Sequence, residues 1–407
     1  MTKILEGIRV ADFSRVMAGP FASHFLTLLG AEVVKVETRD GGDPMRDYGD
    51  DRRYDGMAPA FIAVNAGKKS IALDLKQAAG REVARRLIAR SDVMLENFRP
   101  GVMDKLGLGY EACKALRPDI VYCAVTGYSQ TGPLKDYPAI DNIVQATSGM
   151  MSLGSEAGQP ARVGFPAVDS YAGTLAAFAI VAALLGRERG GSGQFIDVSM
   201  LDASLVLMAP AVVPCLVTGR PPPRTGNAGF SGLVTAGMFT AKDGRSISLG
   251  AVQQNQYEAL CRAIERPELI GDPRFASTAS RRQNAAALRE TLTAVFATRD
   301  GAEWERKLSE AGAPCGLVRD VPTVLEHPQL GAREILQPVR VEGLPDREDV
   351  HVLNAGFQFV ADGPQVAAPP PRLGEQTDEV LIQLGFNADE RATLRASRAA
   401  YPEDEAM

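Results

Sequence analysis

Histidine is scarce in this chain, with three in 407 residues (His24, His327 and His351). A zinc site or a His-based catalytic triad has little to build from. Cysteine is thin as well. Cys113, Cys123, Cys215, Cys261 and Cys315 are scattered, with no C-x-x-C pair and no histidine at ligand spacing. That usage fits a reducing compartment, and a cytoplasmic protein is expected. Positive charge is not in excess: 44 Lys and Arg face 50 Asp and Glu, a net charge of −6. Nothing in this balance favours nucleic acid, although local basic spots remain able to hold a phosphorylated small molecule. The uncharged run Ser170 to Gly186 has 17 residues, many of them Ala or Gly. A bilayer span takes about 20 strongly apolar residues, so a buried helix is expected there and no membrane association. The start, MTKILEGIRVADF, lacks a charged-then-apolar leader pattern and moves straight into a strand.

What is present reads as a layered enzyme. The length has room for two domains, and the hydrophobic (45%) and charged (23%) fractions are ordinary for a soluble globular protein. IRVADF (Ile8–Phe13) predicts a short buried strand. A helix is expected over Phe21–Leu29 with Pro20 at its first position, and EVVKV (Glu32–Val36) predicts a second strand. Strand, helix, strand in so short a stretch is a βαβ unit and implies a parallel sheet. Further strands are expected at Ser70–Leu75, Asp92–Glu96 and Ile120–Val125, and helices at Ala78–Ser91 and Tyr110–Arg117. The first 200 residues are therefore a doubly wound α/β layer. From Gly219 the character changes. GRPPPRTGNAGFSG reads as a linker, followed by a smaller α+β unit. That unit has a hairpin around Lys242-Asp243-Gly244 and helices at Gln254–Ile264, Arg282–Thr298 and Glu303–Ala311. A last amphipathic helix is expected near Thr377–Leu384.

Several motifs have two readings. DFSRVMAGP (Asp12–Pro20) stands where a dinucleotide fold carries G-x-G-x-x-G, and that fingerprint is absent. Glu37 ends the second strand, where such a fold holds a ribose. Arg39 then points to a phosphate, or else pairs with Glu37 or Asp40 on the surface. NAGKKSIALDLK (Asn65–Lys76) and ENFRPG (Glu96–Gly101) place polar and cationic groups at strand ends, where open parallel sheets bind ligands. There Asn97 can hydrogen-bond a base or phosphate, Phe98 can stack and Arg99 can fork a phosphate. Equally, Asn97 and Pro100-Gly101 make only a turn. His24 and Trp304 read as packing residues.

The stretch from Arg162 to Asp202 carries AVDSYAG, then a helix expected over Tyr171–Leu185, a basic glycine-rich turn and an alternating strand, Phe195–Met200. Its lone acid, Asp169, lies at the mouth of a buried helix. It is either a helix cap or an ionised nucleophile, and local physics permits both.

Taken in order, DFSRVMAGPFASHFLTLLGAEVVKVE, GDPMR, NAGKKSIALDLK, ENFRPGVMDKLGLGYE, VTGYSQTGP, AVDSYAG and GRERGGSGQFIDVSMLD resemble the class III CoA-transferases. GDPRFASTASRRQN, AGAPCGLVRDVPTVLEHPQLGAR and LGEQTDEVL extend the resemblance over nearly the whole chain. It implies a Rossmann-like large domain built from both chain ends plus a small α+β domain, in an interlocked, obligate homodimer. The segments would be 1–219, 220–331 with its linker, and 332–407 returning to the large domain. The family nucleophile falls on Asp169. CoA contacts would fall on Val16, Met17, Arg39, Leu73, Lys76, Asn97, Phe98, Arg99 and Lys105. Met17 stands where many relatives have Gln or another residue. The glycine-only loop of formyl-CoA transferases is replaced by Leu249-Gly250-Ala251-Val252-Gln253-Gln254-Asn255, which argues against oxalate/formate specificity.

The implied activity is transfer of CoA between an acyl-CoA thioester and a free carboxylic acid, with a small dicarboxylate such as succinate expected. The intermediates would be a mixed anhydride and an aspartyl-CoA thioester. No permanently bound cofactor or metal is expected, and CoA enters as a substrate. Arg224, Asn227, Gln253 and Gln254 are candidates to receive a second carboxylate. Two rivals are disfavoured. The 2-methylacyl-CoA racemases of the same fold carry a catalytic His where this chain has Ile140, before Asp141, and Ile140 cannot move a proton. A nucleotide-dependent dehydrogenase lacks its glycine fingerprint here.

Overall fold

The structure is a computed structural model describing residues 3–49, 51–154, 159–222, 229 and 231–402. The chain forms two compact units. The first takes residues 1–148, 163–213 and 329–407; the second takes 149–162 and 214–328. The segment 149–162, expected in the large domain, groups with the second unit.

The first unit is built on six strands: β1 (Arg9–Asp12), β2 (Glu32–Glu37), β3 (Lys69–Ala72), β4 (Val93–Glu96), β5 (Val121–Thr126) and β6 (Phe195–Ser199). They pair in the order β3-β2-β1-β4-β5-β6, and every pairing is parallel. β4 and β5 are buried at every position, as expected of strands covered on both faces by crossover helices. β6, at the sheet edge, keeps only Val198 and Ser199 buried. The chain leaves β1 toward one side of the sheet and later returns to β4 on the other. The β1/β4 boundary is therefore the switch point, and ligands of open α/β sheets bind outside the strand C-termini there.

Helices α1 (Ala18–Leu28), α2 (Pro59–Asn65), α3 (Ala78–Ala89), α4 (Val102–Lys105), α5 (Tyr110–Leu116), α6 (Asp141–Thr147), α7 (Ala167–Glu188) and α8 (Met200–Leu207) follow in chain order. α1 starts earlier than expected, so Pro20 is its third residue rather than its first. Any first-turn position tolerates proline, because those N–H groups have no partner within the helix. Gly173 lets α7 approach α1 closely: a Cβ there would stand 2.5 Å from the Ala18 carbonyl oxygen. With 22 residues and a mean hydropathy of 1.7, α7 is long and apolar enough to cross a membrane. Its inner face is part of this layered core, with Val168, Ala172, Ala176 and Ile180 fully buried. Phe178 and Leu185 are exposed on its outer face.

The C-terminal segment belongs to the same core. Val380, Leu381, Leu384, Phe386 and Leu394 pack with residues of β2, β3 and α3. A bridge joins Leu73 to Ala400, and Tyr401 N–H donates to the Ala72 carbonyl at 3.0 Å.

The second unit has the antiparallel sheet β7 (Met238–Thr240), β8 (Ser246–Leu249) and β9 (Cys315–Leu317). The Lys242-Asp243-Gly244 hairpin is where the sequence placed it. The expected helix Arg282–Thr298 is two helices, Thr278–Gln283 and Ala285–Phe296. They break at Asn284, whose amide donates to the Arg274 and Ser280 carbonyls. Such local side-chain bonds compete with helix continuation. Trp304 is a packing residue, donating its indole N–H to the Phe296 carbonyl at 3.0 Å inside the core.

Candidate active site

The loop after β1 rests on buried charge. Asp12 accepts from Ser14 N–H at 2.9 Å and Ser23 Oγ at 2.6 Å, and Lys68 Nζ lies 3.4 Å away. Lys35 Nζ donates to the Ser14 carbonyl and pairs with Asp43, both at 2.8 Å and fully buried. Asp43 accepts Val16 N–H at 3.0 Å. Val16 has φ +67°, a left-handed conformation that a β-branched residue rarely adopts. Where a dinucleotide fold spends glycines to turn at this point, this chain holds a strained valine by a buried ion pair.

Glu37 faces inward. It takes Arg46 at 2.7 Å, Ser70 Oγ at 2.6 Å and Asp43 N–H at 3.0 Å. Burial alone would push its carboxyl up. The Arg46 hydrogen bond and charge, aided by Lys35 and Ser70, overcome that and hold it below the usual range. It is committed to the protein interior, not to a ribose. Arg39 pairs with neither Glu37 nor Asp40. Its Nε donates to the Tyr401 carbonyl at 2.6 Å, and its buried Nη2 has no hydrogen-bond partner among the described residues.

The loop after β4 is stapled to the loop after β1 by Asn97. Its Oδ1 accepts Arg15 N–H at 2.9 Å and its Nδ2 donates to the Arg15 carbonyl at 2.7 Å. The amide expected to meet a base or phosphate is thus occupied by backbone. Arg15 stacks on the Phe98 ring at 4.6 Å. Phe98 N–H is held by Glu96 at 2.7 Å. Burial pushes the Glu96 carboxyl up to about 7, with the charge of Asp104 adding to it.

At the start of α7, the expected cap is not what Asp169 does. Among the described residues its carboxylate accepts no hydrogen bond, and α7 has no side-chain cap at Pro166. The helix end is satisfied from outside. Asp141 Oδ2 accepts Val168 N–H at 2.8 Å and Asp169 N–H at 3.1 Å. Gln145 Nε2 donates to the other Asp141 oxygen at 2.6 Å. Burial, and then the charge of Asp141, push the Asp169 carboxyl up to about 7.

These pieces meet in one cavity of about 640 Å³. Val16, Met17, Asn97, Phe98, Arg99 and Asp169 line it, so six of the ten expected site residues come together. The other four do not line it. Lys76 and Lys105 are exposed at their strand and helix ends. Arg39 lies against Tyr401, and the Leu73 side chain is buried in the core. The cavity adds Arg15, Lys135, Tyr137, Ile143 and Met200, which no sequence pattern had singled out. Ile140 also lines it, so this position offers the cavity a hydrocarbon group. Gly127 lets the 135–140 loop fold over the end of β5, since a Cβ there would stand 2.2 Å from that of Ala139. Arg15, Arg99 and Lys135 form no ion pair among the described residues, which leaves three cations around one acid.

In the second unit, Gln254 Oε1 accepts from buried Arg281 at 3.0 Å, and Gln253 forms a capping box with Gln256. Arg224 and Asn227 lie outside the described residues. Among the described residues no cluster of His, Cys, Asp or Glu is arranged to hold a metal.

A doubly wound sheet of this order, with an acid and three cations that form no ion pair among the described residues at its switch point, is suited to an anionic ligand. The family model for CoA-transferase family III matches residues 5–377, and the chain belongs to that family of enzymes. It is 37% identical to an acetyl-CoA:oxalate CoA-transferase of Acetobacter aceti, over 84% of this chain and 90% of the relative. It is 35% identical to a mouse succinyl-CoA:glutarate CoA-transferase, over 94% of this chain and 86% of the relative. Among solved structures, a CAIB/BAIF family protein from Brucella suis superposes with a TM-score of 0.83 at 31% identity, covering 94% of this chain and all of that one.

Proposed function

We propose that this CoA-transferase moves CoA from an acyl-CoA thioester to a free carboxylic acid with Asp169 as the nucleophile. The observation that carries the reading is an acid whose carboxylate accepts no hydrogen bond among the described residues, facing the cavity at the sheet's switch point. An Asp169 oxygen attacks the thioester carbonyl, and the C–S bond breaks to give a mixed anhydride and CoA thiolate. A thiol of ordinary pKa, about 8.5, leaves without needing a proton. The thiolate attacks the aspartyl carbonyl, releasing the donor's carboxylate and forming an aspartyl-CoA thioester. The acceptor carboxylate attacks that thioester to give a second mixed anhydride, and the freed thiolate takes the acceptor acyl group and returns Asp169. Protons and electrons balance without an external base, metal or redox group.

CoA would be held by the Phe98 face and by the Arg15 and Arg99 cations, with Arg39, Lys76 and Lys105 at the outer strand and helix ends. A small dicarboxylate, with succinate first, is the expected acid. The glutarate and oxalate named for relatives support a dicarboxylate, and Lys135, which lines the cavity and forms no ion pair among the described residues, gives a second carboxylate a partner. An interlocked homodimer belongs to the same reading. It is supported by the exposed Phe178 and Leu185 on α7, and by the helix Ala209–Thr218, which buries no residue in a single chain. We place the enzyme in the cytoplasm, in keeping with five cysteines that are all free.

The test is Asp169→Ala with hydroxylamine trapping in the wild type. The variant should fold as the wild type does and lose transfer by about 10⁴-fold or more. Hydroxylamine during turnover should leave a hydroxamate on Asp169, read by mass spectrometry. Full activity in the variant, or a hydroxamate on another residue, sinks the assignment.

A further inference from the structure

Asp169 occupies the first turn of a 22-residue helix, where an aspartate ordinarily folds back onto the free N–H groups. A capping carboxylate has its oxygens engaged and is a poor nucleophile. Here the two donors of that turn that have no backbone acceptor, Val168 and Asp169 N–H, are both taken by one oxygen of Asp141. Asp141 is 28 residues away in sequence and is itself held. Its second oxygen accepts from Gln145 Nε2, and the Gln145 side-chain Oε1 accepts Val163 N–H at 2.9 Å. That chain of contacts ties the segment before α7 and its first turn to a single face of α6.

We propose that Asp141 is a positioning residue for Asp169: it caps α7 from outside the helix, leaves both Asp169 oxygens free, and fixes a negative charge beside them. The inference rests on Asp169 being the nucleophile. A like charge raises the energy of the ionised acid and so its reactivity toward a carbonyl, while the capping bonds hold its backbone in place. Asp169 becomes uncharged as it is acylated, so this repulsion is relieved as the reaction proceeds. The other charged and titratable groups around the cavity are Arg15 from the loop after β1, Arg99 from the loop after β4, and Lys135 and Tyr137 from the loop before α6. Asp141 is the acid that opposes them next to Asp169.

Two variants separate positioning from capping. Asp141→Asn keeps an acceptor oxygen and removes the charge; Asp141→Ala removes both. The wild type should lose kcat/KM as the pH falls below about 7. In Asp141→Asn this limb should move down by about one pH unit with KM for acyl-CoA unchanged. In Asp141→Ala kcat should fall about 100-fold, through misplacement of Asp169. The pH dependence of carbodiimide labelling at Asp169, read by mass spectrometry, should shift by the same amount in the Asn variant. This readout needs no turnover, so it stays informative if no CoA transfer is found and the functional reading fails. An Asp141→Asn enzyme with an unmoved pH limb and an unmoved labelling profile makes Asp141 a cap only and overturns the proposal.

Discussion

Two acid sites lie near the same cavity and are built in opposite ways. Under the loop after β1, Asp12, Glu37 and Asp43 are buried among Lys35, Arg46 and Lys68, with nearly every oxygen engaged. At the start of α7, Asp169 has a half-buried carboxylate, no donor among the described residues, and another acid as its neighbour. The first arrangement over-determines a backbone and can hold Val16 in a conformation it would not choose. The second leaves an acid under-satisfied, and an under-satisfied group is one that reacts. Burial is common to both. Whether an acid becomes scaffold or tool is decided by the cations and donors placed next to it.

The largest effect expected from breaking this contrast is on the scaffold side. Lys35→Met leaves Asp43 buried without its cation, and should destabilise the fold by about 3–5 kcal/mol, measured by urea unfolding. An unfolding midpoint equal to that of the wild type would show that the pair holds nothing. Asn97→Ala removes the staple between the two loops. About 1 kcal/mol of stability should be lost, with KM for acyl-CoA raised more than kcat is lowered, checked by steady-state kinetics beside a melt. A change no larger than this is expected on the reactive side, with the opposite sign. Asp169 has its carboxyl raised from 3.8 to about 7, so its contribution to stability is full below the unfolded value and is lost as the pH rises through about 7. Asp169→Asn escapes that loss. It should be more stable than the wild type above pH 7 by about 1 kcal/mol, and the gain should vanish toward pH 4. Glu37 runs the other way: its lowered pKa gives stability above the unfolded value of 4.5 that is lost as the pH falls through the folded one. A wild-type stability curve that falls on the acid side, beside an Asp169→Asn difference that grows on the neutral side, would display both sites in one titration.

The inner strands of the sheet were legible in the sequence because they are buried along nearly their whole length. EVVKV, DVMLE and the run ending VYCAV carry enough apolar and β-branched residues to be read without partners. Among the short helices, α5 was read but α2, α6 and α8 were not, since about two turns give a 3.6-residue period little room to stand out. Of the candidate site, Asp169 and the Phe98–Arg99 turn were visible as motifs. The roles of their neighbours were not, because each is a tertiary hydrogen bond. Nothing local in ENFRPG says that Asn97 spends its amide on Arg15, and nothing in AIDNIVQ says that Asp141 caps a helix beginning at Ala167. Asp169 looked like a cap for the same reason. The preference of Asp for a first turn is a local statistic, and a distant competitor had already filled the position.

The return of the C-terminal segment bears on the order in which the protein can be made. Edge strand β3 has Ser70 N–H bonded to Gln376, and its end is joined to Ala400 and Tyr401. Leu381, Leu384 and Leu394 supply part of the core behind it. A nascent chain that has finished β1 to β6 still has an unpaired strand edge and an open apolar face until residue 401 leaves the ribosome. The large unit therefore closes only after synthesis of the second unit is complete. Release of a chain truncated before Gln376 should yield an aggregating fragment, not a smaller enzyme.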